Sequence, residues 1–331
     1  MLNPVFISLA ADHRYLPGLL ATMASLILAA TQKDRLHFNV FADGLTDEDC
    51  HCVVSLLERL GVSEQSVVFH HPDMAPIRKL FKPYNGSYAA FLRLYLCEYL
   101  SEDWTIYTDV DTLWFRDPCE LWEERDDSVS LLWSKDLPSI AQGVKEYSRQ
   151  YCPDLDVERY ACSGVVLMNL KRMRQTKLVL RCSEFVSRWG TPPFVDQDIL
   201  NVICLNDAKL LDQRWDCMMP DRTAVDGVVL HFNGIGRMFN GPMTGWHVLY
   251  YAWYRFYTDV IEEKPDRKVC SLGKRFVFWL EGTFYPPDRL LDACFRRGNG
   301  QLRDGIKRSL FFAWLFRRAK WWGEWKTVKT H

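Results

Sequence analysis

Short apolar runs that alternate with segments of helical length set the fold class of this chain. Val5 to Ala10 is a continuous run of the kind found in parallel strands buried on both faces, and Pro17 to Ala30 follows with helical length and composition. His37 to Phe41 repeats the pattern, ending in Ala42-Asp43-Gly44, before a helix from about Thr46 to Leu60 that stops at Gly61. Val67 to Phe69 reads as a third strand, Tyr88 to Leu100 as a helix carrying Arg93, and Trp104 onward as a fourth strand. Repeated βα units with short connections predict an α/β fold with a mostly parallel central sheet flanked by helices. The chain is long enough for it: 331 residues, 48% of them apolar, build a sizeable core.

The fourth strand ends in an unusual way. Trp104-Thr105-Ile106-Tyr107-Thr108 runs into Asp109-Val110-Asp111. Alternate side chains of a strand share a face, so two acids would project together at the carboxyl end of the sheet, where open α/β folds bind ligands. Two like charges that close call for a cation, and magnesium or manganese completed by phosphate oxygens suits them. The triplet alone reads equally as an acidic turn closing a strand. The chain lacks the glycine patterns of dinucleotide and ATP loops, so metal and basic side chains would have to meet any phosphate charge.

The second half supplies three more features. Ser128 to Leu132 is read as a strand leading to Asp136, and Leu137 to about Tyr160 as an irregular region. Ala161 to Leu170 is a further apolar strand with Gly164 near its start, where the missing side chain lets backbone or ligand approach, unless the glycine only serves a turn. After an amphipathic helix from Lys171 to Trp189 comes Asp196-Gln197-Asp198, in which Asp196 suits a helix N-cap and Asp198 the first turn. Gln197 between them has no capping rationale. Finally, Val228-Val229-Leu230-His231 places an imidazole at a strand end, ahead of Gly234 and Arg237, which could reach diphosphate oxygens.

This ordered set, Ala10-Ala11-Asp12, Arg93, Asp109-Val110-Asp111, Asp136, Ser163-Gly164-Val165, Asp196-Gln197-Asp198 and His231-Phe232-Asn233-Gly234, resembles family 8 of the glycosyltransferases. The resemblance spans roughly Val5 to Trp246. It implies a GT-A nucleotide-sugar transferase fold, a UDP-sugar donor, manganese or magnesium, and retention of anomeric configuration. The implied metal ligands are Asp109, Asp111 and His231. The implied donor-binding set is Ala10, Asp12, Tyr15, Arg93, Asp109, Val110, Asp136, Gly164, Gly234 and Arg237. Asp12 would face the uridine, Arg93 and Asp136 the sugar, and Arg237 the diphosphate, while Asp196 and Gln197 would carry the chemistry. Two positions depart from the bacterial pattern: Arg14 and Cys162 stand where asparagine is common. A glutamine is not a strong nucleophile, so front-face attack on an oxocarbenium-like ion, stabilised by Gln197, is the expected route.

Charge is uneven along the chain. Formal net charge is −1, which excludes a general pull toward nucleic acid, yet from Gln301 onward eight Lys/Arg stand against Asp304 and Glu324. Ile306, Leu310 and Trp314 recur at intervals of four, and Trp321, Trp322 and Trp325 follow. A basic, tryptophan-rich amphipathic helix suits an anionic membrane surface, and a terminal helix packed on the catalytic domain is the competing reading. The expected organisation is a catalytic domain over 1–250 and a C-terminal helical extension over 251–331. Eleven cysteines without framework spacing indicate reduced thiols, and Leu16 to Ala30 lacks the basic leader of a signal peptide. No stretch reaches eighteen uncharged apolar residues. The expectation is a cytoplasmic enzyme, peripheral on the inner membrane, that moves galactose or glucose from a UDP-hexose to a lipopolysaccharide-core or other glycan acceptor. A soluble transferase acting on glycan or protein, and a non-catalytic nucleotide-sugar-binding scaffold, are the alternatives.

Overall fold

The computed structural model describes residues 3–84, 86–153, 155–218, 227–232 and 256–263. In chain order β1 (Val5–Ala11), α1 (Leu16–Ala29), β2 (Leu36–Ala42), α2 (Asp47–Arg59), β3 (Val67–His70) and α3 (Ala75–Leu80) form the first half of the sheet. A 3-10 segment over Ala89–Leu94 and the short α4 (Leu96–Tyr99) bring the chain to β4 (Trp104–Thr108), β5 (Thr112–Trp114) and α5 (Pro118–Trp122). Next come β6 (Leu131–Lys135), α6 (Pro138–Ser148), β7 (Ala161–Asn169), α7 (Leu170–Gln175), α8 (Leu178–Trp189), α9 (Val195–Ile203), β8 (Ala208–Leu211) and β9 (Val229–His231).

Seven strands form one sheet in the order β3-β2-β1-β4-β7-β6-β8, and β5 pairs with β9 in a separate ribbon. The first four are mutually parallel, as the βα repeats require. Only β7 is reversed among the seven, antiparallel to both β4 and β6. The reason is the connection: the residues between β6 and β7 stay at the carboxyl edge instead of crossing back over the sheet. The first residues of β7, not its last, therefore meet the end of β4.

Every residue of β4 and β7 is buried, which matches their continuous apolar sequences. Alternation divides the core between the two faces. Ile7, Leu9 and Ile106 pack with α1 and α2, whereas Ala10, Phe41 and Tyr107 pack with the Ala89–Leu94 segment and α7 to α9. Phe256 joins the first of these clusters, and Arg59 donates to the carbonyls of Val260 and Ile261 at 2.9 and 3.2 Å. Residues 256–263 thus pack against the first core.

Local signals explain the clearest boundaries. Thr46 and Asp49 form a capping box at the start of α2, and Gly61, with φ +76°, takes the left-handed turn after it. Four expectations shift. The stretch expected as one helix from Tyr88 to Leu100 is mostly 3-10, turning Arg93 inward so that its Nε donates to the Ala90 carbonyl at 3.0 Å. The helix expected over Lys171 to Trp189 is two helices, parted at Lys177 by a left-handed residue with φ 52°. The sixth strand starts at Leu131 instead of Ser128, because Asp126 and Asp207 hold Ser128 and Ser130 in a turn. The region expected to be irregular contains α6, opened by Pro138 in its first turn.

Candidate active site

The acidic triplet is the turn between β4 and β5. Asp109 N–H donates to the Gly164 carbonyl at 2.7 Å, so the reversed β7 fixes one side of the turn. Thr112 Oγ1 donates to the Asp109 carbonyl at 3.0 Å and braces it from within. Val110 points into the core, 7% exposed, and leaves the flanking carboxylates outward. In the β5–β9 ribbon Thr112 lies opposite His231, and Phe232 N–H donates to the Asp111 carbonyl at 2.9 Å. This register brings a histidine 120 residues further along the chain onto the turn. His231 Nε2 is 3.4 Å from Asp111 Oδ1 and 4.0 Å from Asp109 Oδ2, and one ligand-type atom from each of the three lies within 4.8 Å of the others.

What approaches Gly164 is the His231 ring. A Cβ there would fall well inside van der Waals contact of the imidazole. On its far side, His231 Nδ1 donates to Asp216 Oδ1 at 2.7 Å, with Cys162 Sγ 3.6 Å from the same nitrogen. Asp216 escaped the sequence reading: it sits in Arg214-Trp215-Asp216-Cys217 with no spacing signal, and only the fold brings its partner near.

Arg93 is 3% exposed and holds two acids together. Its Nη2 pairs with Asp109 Oδ1 at 2.6 Å, its Nε with Asp196 Oδ2 at 3.0 Å, and its Nη1 donates to the Ser163 hydroxyl at 2.9 Å. The guanidinium also stacks 4.4 Å over the Tyr107 ring, whose hydroxyl donates to Asp109 Oδ1 at 2.9 Å. Tyr107 was legible in principle, since it lies two residues before Asp109 on the same strand face. Asp196 does not cap α9: the cap position is Phe194, and Asp196 accepts from Ser163 Oγ at 3.1 Å. The capping role passes to Asp198, which accepts from Phe194 N–H at 2.9 Å.

Gln197 is fixed at both ends of its amide. Oε1 accepts from Ser163 N–H at 3.1 Å, while Nε2 donates to Asp136 Oδ2 at 2.7 Å and to the Tyr160 hydroxyl at 3.1 Å. Tyr160 in turn donates to Asp198 at 2.7 Å, as does Tyr147 of α6 at 2.9 Å. Val195, immediately before this trio, has φ 39°, a strained value for a β-branched residue and one that clusters at functional sites.

The electrostatics fit a cation. Burial, reinforced by Asp111, pushes the Asp109 carboxyl up to about 6 despite Arg93. Burial also works on Asp111, but the His231 imidazole outweighs it and holds that carboxyl below its ordinary value. Burial opposes the charged His231 ring, yet Asp216, Cys162 and Asp111 raise it well above the usual range. The carboxylates thus favour positive charge at Nε2, and a hard divalent ion would supply it to oxygen and imidazole donors of the right type.

At the nucleoside end expected for Asp12, Arg14 intervenes. Its Nη2 pairs with Asp12 Oδ2 at 2.7 Å and donates to the Gly86 carbonyl at 2.7 Å, and its N–H donates to Asp12 Oδ1 at 2.9 Å. Ala10 is buried in β1, and Tyr15, at the end of the short 3-10 turn after Asp12, is half-buried. Tyr84, in the turn that Arg14 holds, has its hydroxyl pushed up by burial and by Asp196, Asp111 and Asp109. Gly234, Arg237 and the basic tail over 301–331 lie outside the described residues.

The mixed α/β architecture with its mostly parallel central sheet is that of the GT-A glycosyltransferases. The galactosyltransferase LgtC, solved with donor and acceptor sugar analogues, superposes with a TM-score of 0.64 at 23% identity, covering 82% of this chain and 100% of that one. The WbbM bifunctional glycosyltransferase gives 0.62 at 15% identity, with 80% of this chain and 52% of that one covered. The chain belongs to glycosyl transferase family 8, whose sequence profile matches residues 6–238. It is 24% identical to the lipopolysaccharide 1,2-glucosyltransferase of Escherichia coli over 287 residues, 80% of this chain and 79% of that protein. To the lipopolysaccharide 1,3-galactosyltransferase of Salmonella typhimurium it is 23% identical over 256 residues, covering 73% and 72%. A Haemophilus influenzae relative is 24% identical over 221 residues, and the chain spans 64% of its length. Among the described residues, no helix is long and apolar enough to cross a membrane.

Proposed function

We propose that this protein transfers galactose or glucose from a UDP-sugar to a saccharide acceptor of the lipopolysaccharide-core type, in a metal-dependent reaction that retains anomeric configuration. The observation that carries the reading is the convergence of Asp109, Asp111 and His231 within 4.8 Å, beside the Arg93, Asp196 and Gln197 network. A divalent ion held there would stabilise the charge that develops on the departing diphosphate. The protein's own part is positional. Arg93 keeps Asp109 and Asp196 a fixed distance apart, and Asp136 and Ser163 fix the Gln197 amide where a donor sugar would lie. Departure of the nucleotide breaks the bond from the anomeric carbon to the diphosphate and leaves positive charge on the sugar ring. The acceptor hydroxyl attacks from the face the nucleotide vacates, passing its proton to the departing diphosphate oxygen. Gln197 carries no nucleophilic oxygen anion, so it stabilises this charge by its dipole.

The lipopolysaccharide gluco- and galactosyltransferases among the relatives support the donor and acceptor classes. A UDP-hexose turnover screen with and without manganese tests the reading; no turnover with any donor overturns it. Anomeric proton couplings of the product test retention, and a glycosyl adduct on Asp196 in the mass spectrum would exclude the front-face route. The basic tryptophan-rich sequence over 301–331 supports action at the cytoplasmic face of a membrane, with a catalytic domain over 1–250, a C-terminal extension over 251–331 and the anchor in the 301–331 tail of that extension.

A further inference from the structure

Asp216 is 2% exposed and both of its oxygens are committed. Oδ1 accepts from His231 Nδ1 at 2.7 Å, and Oδ2 accepts from Val165 N–H in β7 at 3.2 Å. The backbone around it is stitched to β9: Cys217 N–H donates to the Val229 carbonyl at 2.8 Å, and His231 N–H donates to the Cys217 carbonyl at 3.0 Å. Trp215 next to it is 1% exposed and packs 6.3 Å from the Trp114 ring of β5. The carboxylate is thus anchored by three strands, and the histidine is the partner it presents to the site.

We infer that Asp216 is a positioning residue: it fixes the tautomer and the direction of the His231 imidazole. A neutral imidazole has two tautomers and two ring orientations, and only one combination turns a lone pair on Nε2 toward Asp109 and Asp111. Nδ1 has a second neighbour, Cys162 Sγ at 3.6 Å, but a thiol accepts weakly beside a carboxylate at 2.7 Å. With its proton held by Asp216, Nδ1 leaves Nε2 to the carboxylate pair, 3.4 Å from Asp111. A carboxylate behind a ligating histidine also raises its basicity, and removing such a partner costs about 10–100-fold in metal affinity. The inference rests on reading Asp109, Asp111 and His231 as a divalent-cation site.

The test is a manganese titration of the full chain with UDP present, read by the electron paramagnetic resonance signal of free Mn2+, for wild type, Asp111→Asn, Asp216→Asn, His231→Gln and the double variant. In an otherwise wild-type chain Asp216→Asn should raise Kd about 10–100-fold, and saturating manganese should restore most of the turnover. In the His231→Gln background the same change should move Kd by less than about 2-fold, because positions coupled through one partner are not additive. An unchanged Kd, an equal loss in both backgrounds, or turnover that manganese does not restore overturns the inference. Should Asp216→Asn fail to fold, Asp216→Glu keeps the charge but displaces the oxygens, and an unchanged Kd for it overturns the inference equally. The metal reading fails separately, if wild type binds no manganese or Asp111→Asn leaves binding intact.

Discussion

The His231 imidazole fills the volume that a side chain on Gly164 would take. Two elements distant in sequence are thereby fitted to each other: the reversed β7 offers bare backbone where β9 delivers a ring. Gly164→Ala should displace the ring from the acidic turn. Overpacking of this kind costs about 1–3 kcal/mol, and loss of ligand alignment should weaken manganese binding about 10-fold or more. Urea unfolding and a manganese titration of the same sample check the two effects, and wild-type affinity in the alanine variant would show that the contact is packing alone.

Asp111 sits on the open side of the turn, with its side chain 31% exposed, and receives Phe232 only through its backbone carbonyl. Replacing its carboxylate should therefore remove a cation ligand without dismantling the ribbon. For Asp111→Asn we expect manganese-dependent turnover to fall by at least about 100-fold, with stability changed by about 1 kcal/mol or less. Turnover assayed across a manganese series, beside a denaturation curve, decides whether the loss is chemical or structural.

Asp136 makes stability depend on pH in a direction opposite to that of an ion-paired acid. Burial raises it to about 6, outweighing the hydrogen bonds from Leu137 and Gln197. Its folded value lies above its unfolded one, so its contribution is fully present below about 4 and is lost as pH rises through about 6. Asp136→Asn removes this dependence. Between pH 4 and pH 7 the stability difference between variant and wild type should move by about 2–3 kcal/mol in the variant's favour, measured by urea titration at several pH values. A difference that stays constant across that range excludes the linkage.

Much of the site was legible because its acids and its histidine end apolar strands, and a strand end is readable from local composition. The acidic turn after β4 and His231 at the end of β9 carry that signature, whereas Gln197, in the first turn of α9, stood out because it lies between two acids with no capping rationale. What stayed hidden depends on register. Nothing near Asp216 announces His231, fifteen residues on, until β9 pairs with β5. Tyr160 and Asp198, 38 residues apart, meet only because α9 packs under the start of β7. The reversal of β7 was equally invisible, since a strand buried on both faces has the same composition in either direction. Arg93 was expected to contact the donor sugar, and its pairing with both Asp109 and Asp196 is a feature that only the fold reveals.

Tyr160 ties Gln197 to Asp198, so Tyr160→Phe tests whether that tie matters to catalysis. The variant leaves Asp198 with one fewer donor and the Gln197 amide with Asp136 as its remaining side-chain acceptor. Losing a buried hydrogen-bond partner costs about 1–3 kcal/mol in stability. If the amide is also released from its position, kcat should fall by about 10-fold or more while the donor KM stays within a few-fold. An unchanged kcat with reduced stability would assign the network to folding alone.

The basic tail makes a prediction that its sequence alone supports. Each Lys or Arg near an anionic bilayer contributes about 1 kcal/mol, so the eight between Arg303 and Lys329 far exceed what Asp304 and Glu324 oppose. The tryptophans add interfacial anchoring that salt does not screen. Full-length protein should therefore sediment with vesicles containing anionic lipid and much less with zwitterionic ones, and deletion of 305–331 should abolish the difference. Raising salt to about 1 M shortens the screening length to about 3 Å, which should weaken sedimentation without removing it. If the full chain stays in the supernatant with anionic vesicles at low salt, the anchor reading fails and the tail is better placed against the catalytic domain.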